Sequence, residues 1–396
     1  MITLTQICPG VVALVLAVFA TACGSSSSSG TSGGGQSGIP QGMNVLAVTV
    51  GGTTLCTSLV NQPCVSITLC IPGTATCQTV SDIVIDTGSV GLRVFKSALT
   101  VDLSQHIEKD VQGNQIGECV IFGIGATWGP VATAGVIMAG EPEAVVPIQL
   151  IDATFAGQSA MSNPCGQPVD TTPANSLMNG LLGIDAFSSD SGAGGYFSCG
   201  AQGCAPIGQP PNFVQNPVAA LPDDNNGYVF LFPPVGNAGA PSVVGALIFG
   251  VGTQANNTPG AVSVFDRDPG TGTITTVYKG TIYTSFLDTG STFLFFHDTT
   301  IPLCPNINGA YCPPSTLSLS ATNNGVNQIS QMVQFQVANA QSLANTGNAA
   351  FNNLGGPDAA LPGEFDWGFP FFLGRTVYTG ISGRGSMLGI GPYWAY

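Results

Sequence analysis

Two identical quartets carry residues that could do chemistry, Asp86-Thr87-Gly88-Ser89 and Asp288-Thr289-Gly290-Ser291. Each follows a short run, Asp82-Ile83-Val84-Ile85 before the first and Thr284-Ser285-Phe286-Leu287 before the second, so each Asp is expected where a buried strand turns. One such quartet would be an ordinary turn, because Asp and Gly serve turns anywhere. Two in the same setting point to a pair of carboxylates meeting in one site. Such a pair cannot easily ionise twice, so one pKa rises and the pair holds a single proton. One carboxylate then takes a proton from a water between them while the other donates to a carbonyl, and the water attacks without a covalent intermediate. Gly88 and Gly290 would let backbone approach the carboxylates, and the hydroxyls of Thr87, Ser89, Thr289 and Ser291 would hold them coplanar. This chemistry needs no cofactor and no metal. His106 and His297, the only histidines, are expected at the surface, and no H-E-x-x-H is present.

The elements that must position the quartets read as strands. Apolar runs of four to eight residues alternate with Gly- and Pro-rich turns, which predicts an all-β protein. Candidate strands are Val45 to Val50, Ala144 to Ile151, Tyr228 to Phe232, Val243 to Phe249, Thr275 to Leu287 and Thr376 to Ile381. Cys119 to Ile124, Thr127-Trp128-Gly129 and Ala134 to Met138 read as a hairpin with an aromatic near its tip, whereas Cys199 to Pro211 reads as loop. Gly183, after Leu181-Leu182, lies 97 residues beyond Asp86, and Gly368, after Asp366-Trp367, lies 80 beyond Asp288. A Gly there would let two backbones come close. The repeated order of quartet and apolar-Gly signal reads as a diverged duplication.

A net charge of −14, from 21 acidic and 7 basic residues, excludes a nucleic-acid partner. Few cations also mean little positive self-repulsion once the carboxylates are protonated, so tolerance of acid is expected. Residues 1–23 resemble a secretory signal, with an apolar stretch from Val11 to Ala20 too short to span a bilayer. Ala20-Thr21-Ala22-Cys23 is similar to a bacterial lipobox, with Ala20 in place of the usual Leu and no Lys or Arg before it. Cys23 is therefore the expected lipid anchor, an ordinary signal peptide being the alternative. Residues 24–44 read as a Ser/Gly-rich tether, and the Gly30-Thr31-Ser32-Gly33-Gly34 match to G-x-S-x-G lacks the strand and helix that pattern requires. Without Cys8 and Cys23, ten cysteines remain, and an exported chain favours disulfides. Cys70 with Cys77, Cys199 with Cys204, Cys304 with Cys312 and Cys119 with Cys165 are plausible pairs, the connectivity being open. A zinc site at Cys199 and Cys204 fits the spacing but lacks nearby His ligands.

From about residue 45 to 396 the chain resembles the pepsin-like aspartic proteases, motif by motif, as an uncharacterised bacterial branch. The resemblance implies a bilobal pepsin-like acid protease fold. Its two related β-barrel-like lobes, residues 45–250 and 251–396, would flank an active-site cleft. It casts Asp86 and Asp288 as catalytic aspartates, Leu181-Leu182-Gly183 and Phe365-Asp366-Trp367-Gly368 as the apolar-Gly elements, and the hairpin at Trp128-Gly129 as a substrate-covering flap. Trp128 would stand for the family's usual Tyr, and Arg93 stands seven residues after Asp86 where the family has Trp. Flap support and the adjoining subsite are thus expected to differ. The implied activity is endopeptidase action on extended peptide or protein substrates by a monomer held at the bacterial envelope through lipidated Cys23. Relatives of this fold that bind proteins without cutting them supply the alternative.

Overall fold

The computed structural model describes residues 39–396 apart from Thr53, Ile124, 191–193 and 358–362. The expected leader, Cys23 and the Ser/Gly stretch up to residue 38 lie outside the described residues. The packed body begins at Ile39, earlier than the expected Val45, because Asn44 is buried and its side-chain amide donates to the Phe249 carbonyl at 2.8 Å.

The fold is all-β, with only two α-helical segments among the described residues, Pro173–Ser176 and Ala340–Ala344. The first half of the chain supplies β1 (Val45–Val50), β2 (Cys64–Cys70), β3 (Cys77–Asp86), β4 (Val90–Phe95), β5 (Gln115–Phe122) and β6 (Gly125–Ile137). It continues with β7 (Ala144–Ile151), β8 (Gly180–Ile184), β9 (Gly195–Gly200), β10 (Gly203–Ile207), β11 (Gly227–Leu231) and β12 (Val243–Phe249). Six of them, in the order β6, β7, β4, β8, β3 and β2, close into a barrel through the pairing of Thr68 to Cys70 with Gly135 to Ile137. Closure removes the free edges, and Ile67, Ile83, Leu92, Val94, Val136 and Ile148 belong to the core. β9 and β10 form a hairpin where the sequence suggested loop. The Cys199–Cys204 disulfide joins directly opposed residues there, and the Gly, Ala and Pro around it carry no apolar alternation to signal a strand.

The second half supplies β13 (Val264–Asp266), β14 (Ile274–Tyr278), β15 (Thr281–Asp288), β16 (Leu294–Phe295), β17 (Leu317–Asn324) and β18 (Ser330–Val337). It ends with β19 (Gly355–Gly356), β20 (Glu364–Gly368), β21 (Thr376–Gly380), β22 (Gly385–Ser386), β23 (Gly389–Ile390) and β24 (Tyr393–Ala395). Seven of these form an open half-barrel in the order β18, β17, β14, β15, β20, β16 and β19. Strands of both halves then share one run, β1-β12-β11-β21-β24-β13, centred on the antiparallel β11–β21 pair. From either end it reads first strand, last strand, central strand, so the halves contribute in the same way.

Five disulfides are formed, Cys56–Cys64, Cys70–Cys77, Cys119–Cys165, Cys199–Cys204 and Cys304–Cys312. They fit an extracellular or periplasmic, oxidising setting. No described helix is long and apolar enough to cross a membrane.

Candidate active site

Each quartet sits in a loop through which a third strand passes. β3 runs into Asp86, the chain turns over Thr87 to Ser89, and β4 leaves. Between them lies β8, parallel to β3 with Asp86 opposite Gly183, and antiparallel to β4 with Gly91 opposite Gly183. The second half repeats this: β20 pairs parallel with β15, Asp288 opposite Gly368, and antiparallel with β16, Leu294 opposite Trp367. Three backbones in so little space exclude side chains. A Cβ on Gly183 would stand 2.8 Å from Ser89 Oγ, and one on Gly368 would stand 2.0 Å from the Phe293 carbonyl oxygen.

The two turns meet back to back. Thr87 Oγ1 donates to the Leu287 carbonyl at 2.9 Å, and Thr289 Oγ1 donates to the Ile85 carbonyl at 2.8 Å. In return, Thr289 N–H donates to Thr87 Oγ1 at 2.9 Å, and Thr87 N–H donates to Thr289 Oγ1 at 3.2 Å. Both threonines are buried, so these four bonds are shielded from water and fix one turn against the other.

The carboxylates converge above this lock. Asp86 accepts from Gly88 N–H at 2.8 Å and from Ser89 Oγ at 2.5 Å. Asp288 accepts from Gly290 N–H at 2.7 Å and from Ser291 Oγ at 2.9 Å. Gly88 N–H also reaches Asp288 Oδ1 at 3.1 Å, so one amide lies between the two acids. A Cβ on Gly88 would lie 2.7 Å from Asp288 Cγ, and one on Gly290 would lie 2.9 Å from Asp86 Oδ1. Each glycine thus makes room for the opposite carboxyl. Loss of water around Asp288, the charge of Asp86 beside it and that of Asp366 on β20 raise the Asp288 pKa well above the ordinary carboxylate value. The arrangement can hold one proton between two acids at the surface of a fixed turn.

Asn61 and Gln62, which carry no sequence signal, brace the second turn from the first half. Gln62 Nε2 donates to the Gly290 carbonyl at 2.7 Å, and Asn61 Nδ2 donates to the Thr292 carbonyl at 2.9 Å. Asn61 has a positive φ of 54°, a conformation Asn tolerates better than most residues.

Trp128, Gly129 and Arg93 are not where a substrate contact would be. Trp128 lies inside the β5–β6 hairpin opposite Cys119, fully buried, packed on Phe155 and Phe197, with Nε1 donating to the Phe155 carbonyl at 3.3 Å. Gly129 serves a close strand approach, since a Cβ there would stand 1.8 Å from the Leu150 carbonyl oxygen. The aromatic near the turn is Phe122, half-buried and 6.0 Å from the Arg93 guanidinium carbon. Arg93 is itself buried in a strand with no exposed residue, and ion-pairs with Glu118 at 2.7 Å and Asp190 at 2.6 Å. Burial and the neighbouring Asp190 hold Glu118 well above the usual carboxylate value, against the pull of Arg93. Tyr196 closes the group, donating to Asp190 Oδ1 at its other side. A buried Arg demands acids, but their positions, 118 and 190, follow only from the strand order.

Among the described residues, no group of three or more His, Cys, Asp and Glu could hold a metal ion. His297 is exposed and His106 half-buried. No curated protein matches the chain. A family model described as "Protein of unknown function (DUF3443)" matches residues 40–396, the whole packed body but its first residue, and the chain belongs to that family.

Proposed function

We propose that the protein is an aspartic endopeptidase of the pepsin-like kind, its two halves forming related lobes on either side of the Asp86–Asp288 pair. One observation carries this reading. The reciprocal Thr87–Thr289 lock holds both carboxylates at a single amide, Gly88 N–H, which lies 2.8 Å from Asp86 Oδ1 and 3.1 Å from Asp288 Oδ1. A turn that merely reverses a strand has no use for a second carboxylate 200 residues away in sequence.

In the proposed reaction Asp288 carries the shared proton, because its surroundings oppose ionisation. Asp86 takes a proton from water as the water oxygen bonds to the peptide carbonyl carbon, while Asp288 gives its proton to the carbonyl oxygen. The tetrahedral intermediate then breaks its C–N bond, the nitrogen takes the proton from Asp86, and a hydroxyl proton returns to Asp288. The products are a new carboxyl end and a new amino end, and the dyad is restored. The tip of the β5–β6 hairpin, with exposed Ile121 and half-buried Phe122, is proposed to close over the substrate in the role first expected of Trp128.

The five disulfides suit an enzyme working outside the cytosol, and Cys23 is proposed to tether it to the envelope by a lipid. The test of the chemistry is peptide cleavage by the purified chain between about pH 3 and 7, with pepstatin as inhibitor. Cleavage that pepstatin blocks supports the reading; no cleavage and no pepstatin binding removes it. For the tether, Cys23→Ser should abolish lipid labelling and membrane association together.

A further inference from the structure

The half-barrel of the second half has a seam. Its two edge strands, β18 and β19, come together at one point, where Ala338 N–H donates to the Asn353 carbonyl at 2.9 Å. Below that bond no described strand pairs with the outer edge of β18. In an antiparallel pair every second residue turns both main-chain groups away from its partner. Ala338 N–H faces outward, so the same is true of Gln336 and Gln334, and the Gln334 carbonyl is indeed reached from that side by Arg375 Nη2 at 3.5 Å. Beside this edge lies a cavity of about 350 Å³ whose lining includes Gln334, Gln336, Leu294, Trp367, Asn352 and Arg375. A space of this size beside unpaired strand groups fits a few residues of extended chain.

Charge narrows the occupant. Of the seven Lys and Arg residues, Arg93, Lys96, Arg267 and Lys279 lie in ion pairs. Arg384 is held by Asn225 and the Ala219 carbonyl, and Lys109 stands at the surface. Arg375 lines the cavity with neutral partners: the Phe371 carbonyl, the Phe371 ring 4.4 Å away and the distant Gln334 carbonyl. Burial holds its pKa below the ordinary guanidinium value, opposed only by the Tyr396 phenol. Residues 1–38 contain no Asp or Glu, so the chain's own leading segment offers it no acid.

We propose that this seam is a second peptide-binding site, in which an extended segment of another protein pairs with the edge of β18 at Gln334 and Gln336 and places a carboxylate on Arg375. Strand addition supplies affinity for any extended chain, and Arg375 supplies the preference for an acidic one. The site is separate from the Asp86–Asp288 pair and stands whether or not that pair is catalytic.

The test uses the full chain carrying Asp86→Asn, so that no peptide is cut, and a fluorescein-labelled heptapeptide of alternating Thr and Val with one central Glu. Saturable binding by fluorescence anisotropy is expected, weakened about tenfold or more when the peptide Glu is replaced by Gln. Arg375→Gln should give the same loss and should no longer distinguish the two peptides. Gln336→Pro removes an outward N–H without removing a bond to β17, and is tolerated on an edge strand. It should weaken both peptides equally, which separates loss of pairing from loss of charge. Hydrogen exchange in the complex should slow at residues 334–336. The proposal is overturned if nothing binds, if Glu and Gln peptides bind alike, if protection falls at residues 86–91 instead, or if deleting residues 24–38 is what opens the site.

Discussion

Arg93 sets the terms for the ground beneath the first quartet. One cation faces two carboxylates, Glu118 and Asp190, in a space closed to water. Removing one partner from a buried group of this kind leaves charge uncompensated, which costs far more than the group contributes when whole. Arg93→Met should therefore lower stability by about 3–5 kcal/mol at pH 7 in urea unfolding. Near pH 4 the loss should shrink, because Glu118, held well above the usual carboxylate value, takes up a proton and no longer needs the guanidinium. A second buried acid with a raised pKa is Glu141. Glu141 faces Asp224, and burial together with that neighbour pushes its carboxyl up to about 7 from 4.5. A raised carboxyl binds its proton more tightly in the folded state, so its contribution is whole below pH 4.5 and is lost as pH climbs through 7. Glu141→Gln should melt with the wild type at pH 4 and above it at pH 7. At this scale the two aspartates and their glycines were legible in the sequence, because identical quartets can be counted. It gave no hint of Gln62 or Asn61, whose roles exist only once the two turns touch.

Strands written as short, largely apolar runs were readable to the residue, as at Val45–Val50, Ala144–Ile151 and Val243–Phe249. The β17–β18 hairpin was not. Its runs of Ser, Thr, Asn and Gln carry few apolar residues, and Ala321, Val333, Phe335 and Val337, with Leu317 and Leu319 partly buried beside them, face the core of a sheet open to solvent on its other side. The β5–β6 hairpin is legible in the sequence but the side its aromatic faces is not, since an indole near a turn reads alike whether it points out or in. Between Phe155 and Phe197 it points in, and Cys119–Cys165 closes the same cluster. Trp128→Ala should accordingly cost about 3–5 kcal/mol in unfolding free energy. A flap contact would instead have raised KM and left stability unchanged.

For the whole molecule, the covalent links point to service outside the cell interior. Four disulfides close loops of five to eight residues, whereas Cys119–Cys165 spans 46. On the loop-entropy account the long one restrains the unfolded chain by about 4 kcal/mol and an eight-residue loop by roughly 2.5. Cys119→Ser with Cys165→Ser should thus lower Tm more than loss of Cys304–Cys312. The duplication was visible as two intervals of different length, and the structure resolves what they share: a strand threaded through each quartet's loop, and a six-strand run that reads alike from either end. All of it converges on one pair of carboxylates. The most direct test is the rate of peptide cleavage against pH for the wild type, Asp86→Asn and Asp288→Asn, each first shown to be folded by circular dichroism. The account predicts a wild-type profile that peaks in acid and falls as Asp288 loses its proton, with both variants slower by about a thousandfold or more. Cleavage by either variant at the wild-type rate, or a folded wild type that cuts no peptide at any pH, would contradict it.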